Sequence, residues 1–215
     1  PDDFFDLIII DEAHHSAADS WKKVLAKFSK AKIVSMTATP FRSDKQEIEG
    51  ELVYRYPFKR ATMNGYVKRV KAWYVAPSEL TFTAKGETKT YNLDEVLKMK
   101  EKDWFSRGIA LSEVCNRSIV DNSLEKLEEL RQTGTQHQII AVACSVDHAR
   151  AIRSMYSSRG YKADVIYSQM ADDKKEDVLR RLKNGELDCI VQVQMLGEGF
   201  DHQKLSVAAI FRPFR

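Results

Sequence analysis

The stretch "DLIIIDEAHHSAADSW", Asp6 to Trp21, decides the reading of this chain, because three consecutive isoleucines run directly into Asp11, Glu12, His14 and His15. A run of apolar β-branched residues reads as a strand buried on both faces, and such strands belong to parallel sheets covered by helices. Asp11 and Glu12 then stand where the strand ends. In open α/β sheets that carboxyl edge is where ligands bind, so acids delivered there by a strand are candidates for holding a metal and activating a water. A structural reading competes with this one. Acids at a strand end also cap the next helix, and Ser16 or Asp19 can do so ahead of the amphipathic set Trp21, Val24, Leu25 and Phe28. The stretch by itself leaves both readings open.

Working outward, 215 residues with 43% hydrophobic side chains are enough for one large or two small cores, and two is the expectation. The formal charge of +3, from 34 basic and 31 acidic residues, creates no overall field that would announce nucleic acid, so any such binding is local. Cys115, Cys144 and Cys189 are odd in number, widely spaced and without a C-x-x-C pair. That pattern argues against a disulfide framework or a zinc site and fits a reducing, cytoplasmic setting. No apolar run approaches the ~18 residues of a membrane span, and no signal-peptide pattern opens the chain. Pro1 stands just before a buried strand and Arg215 just after another, which reads as a piece of a longer protein.

The first segment reads as strand (Asp6 to Ile10), helix (about Ser20 to Phe28) and strand (Lys32 to Met36), followed by the turn "TATPFR". From Lys59 to about Ser112 the periodicity is poor, and "TAKGETKT" suggests a hairpin or loop, so this part is expected to be a connector with short strands. Order then returns. A helix from about Ser118 to Gln132 carries Leu124, Leu127 and Leu130 on one face, with Gly134 as its stop. "QIIAVAC" is a strand, Ser145 caps a helix ending at Gly160, and "KADVIYS" is a strand. Asp172 to Asn184 is a helix stopped by Gly185, and "LDCIVQV" and "LSVAAIF" are strands. The expected fold is α/β, with parallel sheets carrying helices on both faces. Its expected parts are 1–58, a connector at 59–112, and 113–215.

"DEAHH" at a strand end, followed after a helix and a strand by "TATPFR", resembles motifs II and III of superfamily 2 helicases. "IIAVACSVDHARAI" resembles motif IV, and "DCIVQVQMLGEGFD" with "LSVAAIFRPF" resembles motif V and the strand leading to motif VI. Together they resemble the DEAD/DEAH-box group of type III restriction subunits and related repair translocases. The resemblance covers the chain apart from about Val70 to Leu111. It implies the end of one RecA-like domain joined to most of a second, and an ATP-dependent motor on nucleic acid, with DNA ahead of RNA.

Under that resemblance ATP and Mg2+ are the cofactors, Asp11 holds the magnesium, and Glu12 orients and deprotonates the attacking water. His14 bridges the phosphate site to the Thr37 and Thr39 hydroxyls, so that hydrolysis is sensed next door; its structural alternative is a satisfied buried histidine. His15 is structural or faces nucleic acid, with no preference, and Arg42 either reaches a phosphate or pairs with an acid such as Asp44. Gly197 and Gly199 permit the close backbone approach that phosphate-contacting loops need, although two glycines alone mean only a turn. The resemblance assigns Gly199 and Asp201 to the nucleotide, Asp201 at the ribose, and Gln194 and Gly197 to the nucleic-acid backbone. Ser145 and Gln169 are further backbone contacts, Ser145 having the alternative role of helix cap. Val193 departs from the pattern, since many relatives carry threonine there.

No G-x-x-x-x-G-K-[ST] phosphate loop is present, and neither Arg212 nor Arg215 sits in a Q-x-x-G-R-x-x-R motif that would make it an arginine finger. This stretch by itself is therefore expected to be inactive. Three rivals stand beside the motor reading. One is the motor subunit of a restriction or defence system working with a nuclease or methyltransferase subunit. Another is a non-catalytic nucleic-acid-binding module that retains the fold. The weakest is a metal-dependent hydrolase using Asp11, His14 and His15, for which no further ligand cluster exists.

Overall fold

The computed structural model describes residues 3–13, 19–38, 50–73, 79–84, 87–92, 112–196 and 200–212, with the backbone alone at 19–21, 79–84 and 87–92. The chain divides into two compact units, Pro1–Lys71 and Ala72–Arg215. His14, His15, Thr39, Arg42, Asp44, Gly197, Gly199 and Arg215 lie outside the described residues.

In the first unit β1 (Leu7–Ile10) and β2 (Lys32–Ser35) pair in parallel, Leu7 opposite Lys32 and Ile10 opposite Ser35, with α1 (Asp19–Ala26) between them in sequence. Parallel pairing requires a crossover, and the helix supplies it. The expectation that β1 is buried on both faces is not met. Ile10 is buried, but Leu7 and Ile9 are 51% and 59% exposed. The physical reason is that among the described residues β1 has a single neighbour, β2, and no described element covers the face carrying Leu7 and Ile9. A second departure is α2 (Phe58–Met63), a short helix where poor periodicity suggested short strands and loops. Pro57 fixes its entry with φ −65°, and only Ala61 on it is buried, so no apolar stripe marks it in the sequence.

The second unit opens with an antiparallel hairpin of β3 (Glu79–Ala84) and β4 (Glu87–Asn92), where "TAKGETKT" suggested one. Its body is a four-stranded sheet in the order β6-β7-β5-β8, formed by β5 (Gln138–Val142), β6 (Ala163–Tyr167), β7 (Cys189–Val193) and β8 (Leu205–Ile210), every pairing parallel. Helices α3 (Glu113–Arg131) and α4 (Val146–Ser157) cover one face, and α5 (Asp172–Lys183) covers the other. The period-two alternation of the strands explains how one sheet serves two cores. On β7, Cys189 and Val191 join Val120, Leu127, Ile152 and Tyr156, whereas Ile190 joins Ile166, Val178 and Leu182.

Each helix has a local reason to begin or end. Ser145 caps α4, its side chain accepting the His148 N–H, and Gly185 closes the turn after α5 with φ +78°, a conformation that favours glycine. Asp172 and Asp173 at the start of α5, and Arg180, Arg181 and Lys183 at its end, complement the helix dipole. α3 begins five residues earlier than the sequence suggested, at Glu113, because Cys115 and Asn116 are buried there although the segment carries no clear apolar stripe. The three cysteines are free thiols, Cys115 and Cys189 buried and Cys144 exposed. Among the described residues no helix is long and apolar enough to cross a membrane.

Native-state hydrogen exchange is expected to find the slowest amides in β5 and β7, with faster exchange across Leu7–Ile10; the reverse order would contradict this account of burial. Leu182→Ala, which empties a fully buried site, is expected to cost about 2–5 kcal/mol in urea unfolding, against under about 1 kcal/mol for Ile9→Ala.

Candidate functional site

In the first unit the acids occupy a backbone turn fixed on both sides. Met36 N–H donates to Ile10 O at 2.8 Å and Ala13 N–H donates to Met36 O at 2.9 Å, so the chain leaving β1 is tied to the chain leaving β2. Ala13 is fully buried, and its small side chain lets the two segments close together. Between these anchors Glu12 adopts φ +49°, and its N–H donates to Asp11 Oδ1 at 2.9 Å. Asp11 is exposed, while Glu12 and Thr37 are half-buried. The structure thus brings Asp11, Glu12 and Thr37 to the carboxyl edge of one parallel strand pair. An exposed carboxylate at such an edge suits a hard cation that takes oxygen ligands and keeps several of its waters, as magnesium does. Among the described residues no three His, Cys, Asp or Glu side chains gather into a ready-made metal cluster.

In the second unit three adjacent parallel strands deliver their carboxyl ends to a common edge: Gln169 follows β6, Gln194 follows β7 and Ser145 follows β5. Registers of Tyr167 with Val193 and of Val142 with Gln192 keep those ends level. Ser145, Gln169 and Gln194 are all exposed. Asp201 is exposed too but lies elsewhere. Its neighbour His202 meets Gln138 Oε1 at 2.7 Å, and Gln138 opens β5, so Asp201 stands toward the amino edge of the sheet.

Gln194 shares with Glu12 a positive φ of +49°, and these are the two non-glycine residues in that region among the described residues. The conformation costs roughly 1–3 kcal/mol and tends to persist where surrounding structure over-determines it, often at functional sites. For Gln194 the determinant is Gln192, a buried polar residue on β7 whose Oε1 accepts the Met195 N–H at 3.1 Å. Sequence reasoning passed over Gln192. A lone amide within "CIVQV" was its one signal. Also passed over were Asn116 and His148, both buried behind Ser145. Burial lowers the His148 pKa, and it raises that of Cys144, against the pull of the nearby Arg212 cation.

Two family models match the chain. The one described as the helicase conserved C-terminal domain matches residues 122–215, and the one described as the type III restriction enzyme, res subunit, matches residues 1–42. In these two matches and in the relatives that follow, the chain is similar to superfamily 2 helicases of the type III restriction-like and repair-translocase group. It is 26% identical to DNA 3'-5' translocase XPB2 of Sulfurisphaera tokodaii, over 96% of the chain and 52% of that protein. To the putative ATP-dependent helicase IRC3 of Saccharomyces cerevisiae it is 22% identical, over 96% of the chain and 29% of the relative. A type I restriction enzyme EcoAI endonuclease subunit of Escherichia coli is 28% identical over 70% of the chain and 19% of its own length. The chain therefore spans about half or less of the relatives it matches.

Because Gln194 carries its strain in the backbone, Gln194→Gly is expected to leave unfolding stability unchanged or raise it by up to about 1 kcal/mol. A β-branched side chain is disfavoured there, and Gln194→Val is expected to cost about 1–2 kcal/mol. Urea unfolding of the two variants checks the sign.

Proposed function

We propose that this chain is part of an ATP-dependent motor that moves along nucleic acid, DNA in preference to RNA. The observation that carries the reading is the turn after β1. Glu12 is held in a left-handed conformation beside Asp11, and backbone hydrogen bonds through Ala13 and Met36 tie that turn to the segment bearing Thr37. The proposed organisation is the end of one RecA-like domain at 1–58, a connector at 59–112 and most of a second at 113–215.

Asp11 is the residue to hold magnesium, its exposed carboxylate acting through a metal-bound water. Bound magnesium with ATP supplies charge neutralisation across the phosphate oxygens. Glu12 orients a water and accepts its proton, a task that depends on hydrogen-bond reach. His14, Thr37 and Thr39 couple this turn to the neighbouring domain, and Gly199 and Asp201 belong to the nucleotide contacts. Ser145, Gln169, Gln194 and Gly197 face the nucleic-acid backbone. For Ser145, Gln169 and Gln194 the support is their common edge in the sheet. The reading has least support at Asp201, which lies toward the amino edge.

A second reading is favoured by the match of residues 1–42 to the type III restriction model and by the type I restriction relative. In it the same motor serves a nuclease or methyltransferase subunit. ATP-dependent cleavage of DNA by the purified full-length protein, alone or with a co-purifying subunit, separates this reading from a motor acting by itself.

In the full-length protein Glu12→Gln is expected to keep ATP and nucleic-acid binding while lowering hydrolysis by about two to four orders of magnitude, since an amide cannot accept the proton. Near-normal turnover would remove Glu12 from the mechanism. Asp11→Asn is expected to shift the magnesium dependence of hydrolysis to higher concentration, and a titration that overlays the wild type would reassign the metal.

A further inference from the structure

The loop after β5 is built around a buried polar pair for which the proposed reaction has no use. His148 in the first turn of α4 and Asn116 in the first turn of α3 are 7% and 3% exposed. His148 holds the loop twice: its Nδ1 accepts the Cys144 N–H at 3.3 Å, and its own N–H donates to Ser145 Oγ at 3.2 Å. The ring also lies edge-on to Phe211, with centroids 6.3 Å apart. Phe211 N–H donates to Val142 O at 2.9 Å, and Cys144 Sγ donates to Phe211 O at 3.3 Å. The ends of β5 and β8 and the start of α4 are thus gathered around one imidazole.

Behind the ring, His148 Nε2 lies 2.9 Å from Asn116 Nδ2, and Asn116 Oδ1 is buried with no partner. Ring chemistry fixes the direction of this contact. A neutral imidazole has one N–H and one lone pair, and Nδ1 already accepts from Cys144, so Nε2 bears the proton and donates. Turning the amide by half a turn keeps its heavy-atom positions and presents the oxygen to that proton. A protonated ring has no acceptor left and releases the Cys144 amide. Burial disfavours that charged form. Ionisable groups on the elements packed around the ring include the Cys144 and Cys115 thiols, Asp147 and Arg150 of α4, Glu113 and Arg117 of α3 and Arg212 after β8, and the lowering of the His148 pKa has burial as its cause.

We propose that His148, held in its Nε2–H tautomer by Asn116, is a positioning residue that presents the Cys144–Ser145 loop to the nucleic-acid backbone. The assignment rests on the reading of Ser145 as a backbone contact, and it adds a device that sets the loop's shape from inside the fold.

Two measurements test it. In the 215-residue chain, long-range proton–nitrogen NMR of the wild-type ring is expected to find Nε2 protonated and Nδ1 bare near neutral pH; a protonated Nδ1 overturns the proposal whatever the function. In the full-length protein, Asn116→Asp sets a carboxylate against the ring, stabilises the imidazolium and raises the His148 pKa. The loop is then held above that raised pKa and released below it. The apparent KM for single-stranded DNA in the ATPase reaction is expected to rise roughly five-fold as the pH falls from about 8 to about 6, while kcat at saturating DNA follows the wild-type profile. An Asn116→Asp profile of KM that overlays a DNA-stimulated wild type overturns the positioning role alone. A wild type that nucleic acid neither binds nor stimulates overturns the functional reading, and the positioning role with it.

Discussion

Burial of β5 and β7 between two layers of helix is the constraint on which the second unit depends. Two central parallel strands must be apolar on both faces, and here Ile139, Ala141, Cys189 and Val191 fill one core while Ile190, with Ile140 packed against it, serves the other. Once both faces are committed, a one-residue slip of either strand would send its side chains into the wrong core, so the register is strongly specified. The position of the loops follows. Because every pairing is parallel, the segments after β5, β6 and β7 emerge on one edge, and Ser145, Gln169 and Gln194 arrive together without contact between their side chains being needed. At the opposite edge Gln138 performs the matching task, its Nε2 donating to Leu182 O at 2.8 Å and to Leu187 O at 2.6 Å. Those bonds give the Leu182 carbonyl, which also accepts the Gly185 N–H at 3.1 Å, a second donor and bring a donor to the Leu187 carbonyl before β7.

The first unit works differently. Its sheet buries little, and its precision comes from the backbone. The bonds from Met36 N–H to Ile10 O and from Ala13 N–H to Met36 O continue the β1–β2 ladder past the last paired residues, and where the chain crosses from strand to turn between them Glu12 stands at φ +49°. A non-glycine residue in that conformation is costly, and glycine would relieve the cost. A glutamate there is thus a choice of side chain over backbone ease. The same trade recurs at Gln194, likewise just past a strand end and likewise at φ +49°. Two units with unlike cores carry one backbone solution at the point where a strand hands a polar side chain to its carboxyl edge.

These features divide cleanly by how they are written in the sequence. Strands β5 to β8 were legible because each is a short apolar run bounded by polar or glycine residues, and α4 because Ser145 stands where a cap belongs. Asp11 and Glu12 were legible as strand-end acids. The helix α2 was not, since a helix that buries only Ala61 has no apolar stripe to read. The exposure of Leu7 and Ile9 escaped for a related reason: composition reports what a strand could bury, and the neighbours present decide what it does bury. Left-handed residues are invisible when the residue is not glycine, because tertiary hydrogen bonds impose the dihedral against local preference. Asn116 and His148 lie 32 positions apart, and a polar residue on an apolar helix face gives no sign of its partner.

That invisibility has a physical counterpart. A buried polar pair is worth little to stability, because the hydrogen bonds formed merely replace those made with water, and the atom of Asn116 left without a partner makes the balance worse. An apolar pair of similar volume could fill the space between α3, α4 and β8 at lower cost. What an apolar pair cannot do is point. Leucine at position 148 could pack against Phe211, yet it would leave the Cys144 N–H unmatched and the loop before Ser145 without a defined conformation. Directionality is what the imidazole adds: an acceptor aimed at one amide, with its proton aimed at the amide side chain behind it. The cost in stability falls on the buried face of the loop and the gain in definition on its exposed face, where Ser145 stands. Polar burial in this unit is therefore best understood by following each hydrogen bond outward to the loop whose shape it sets.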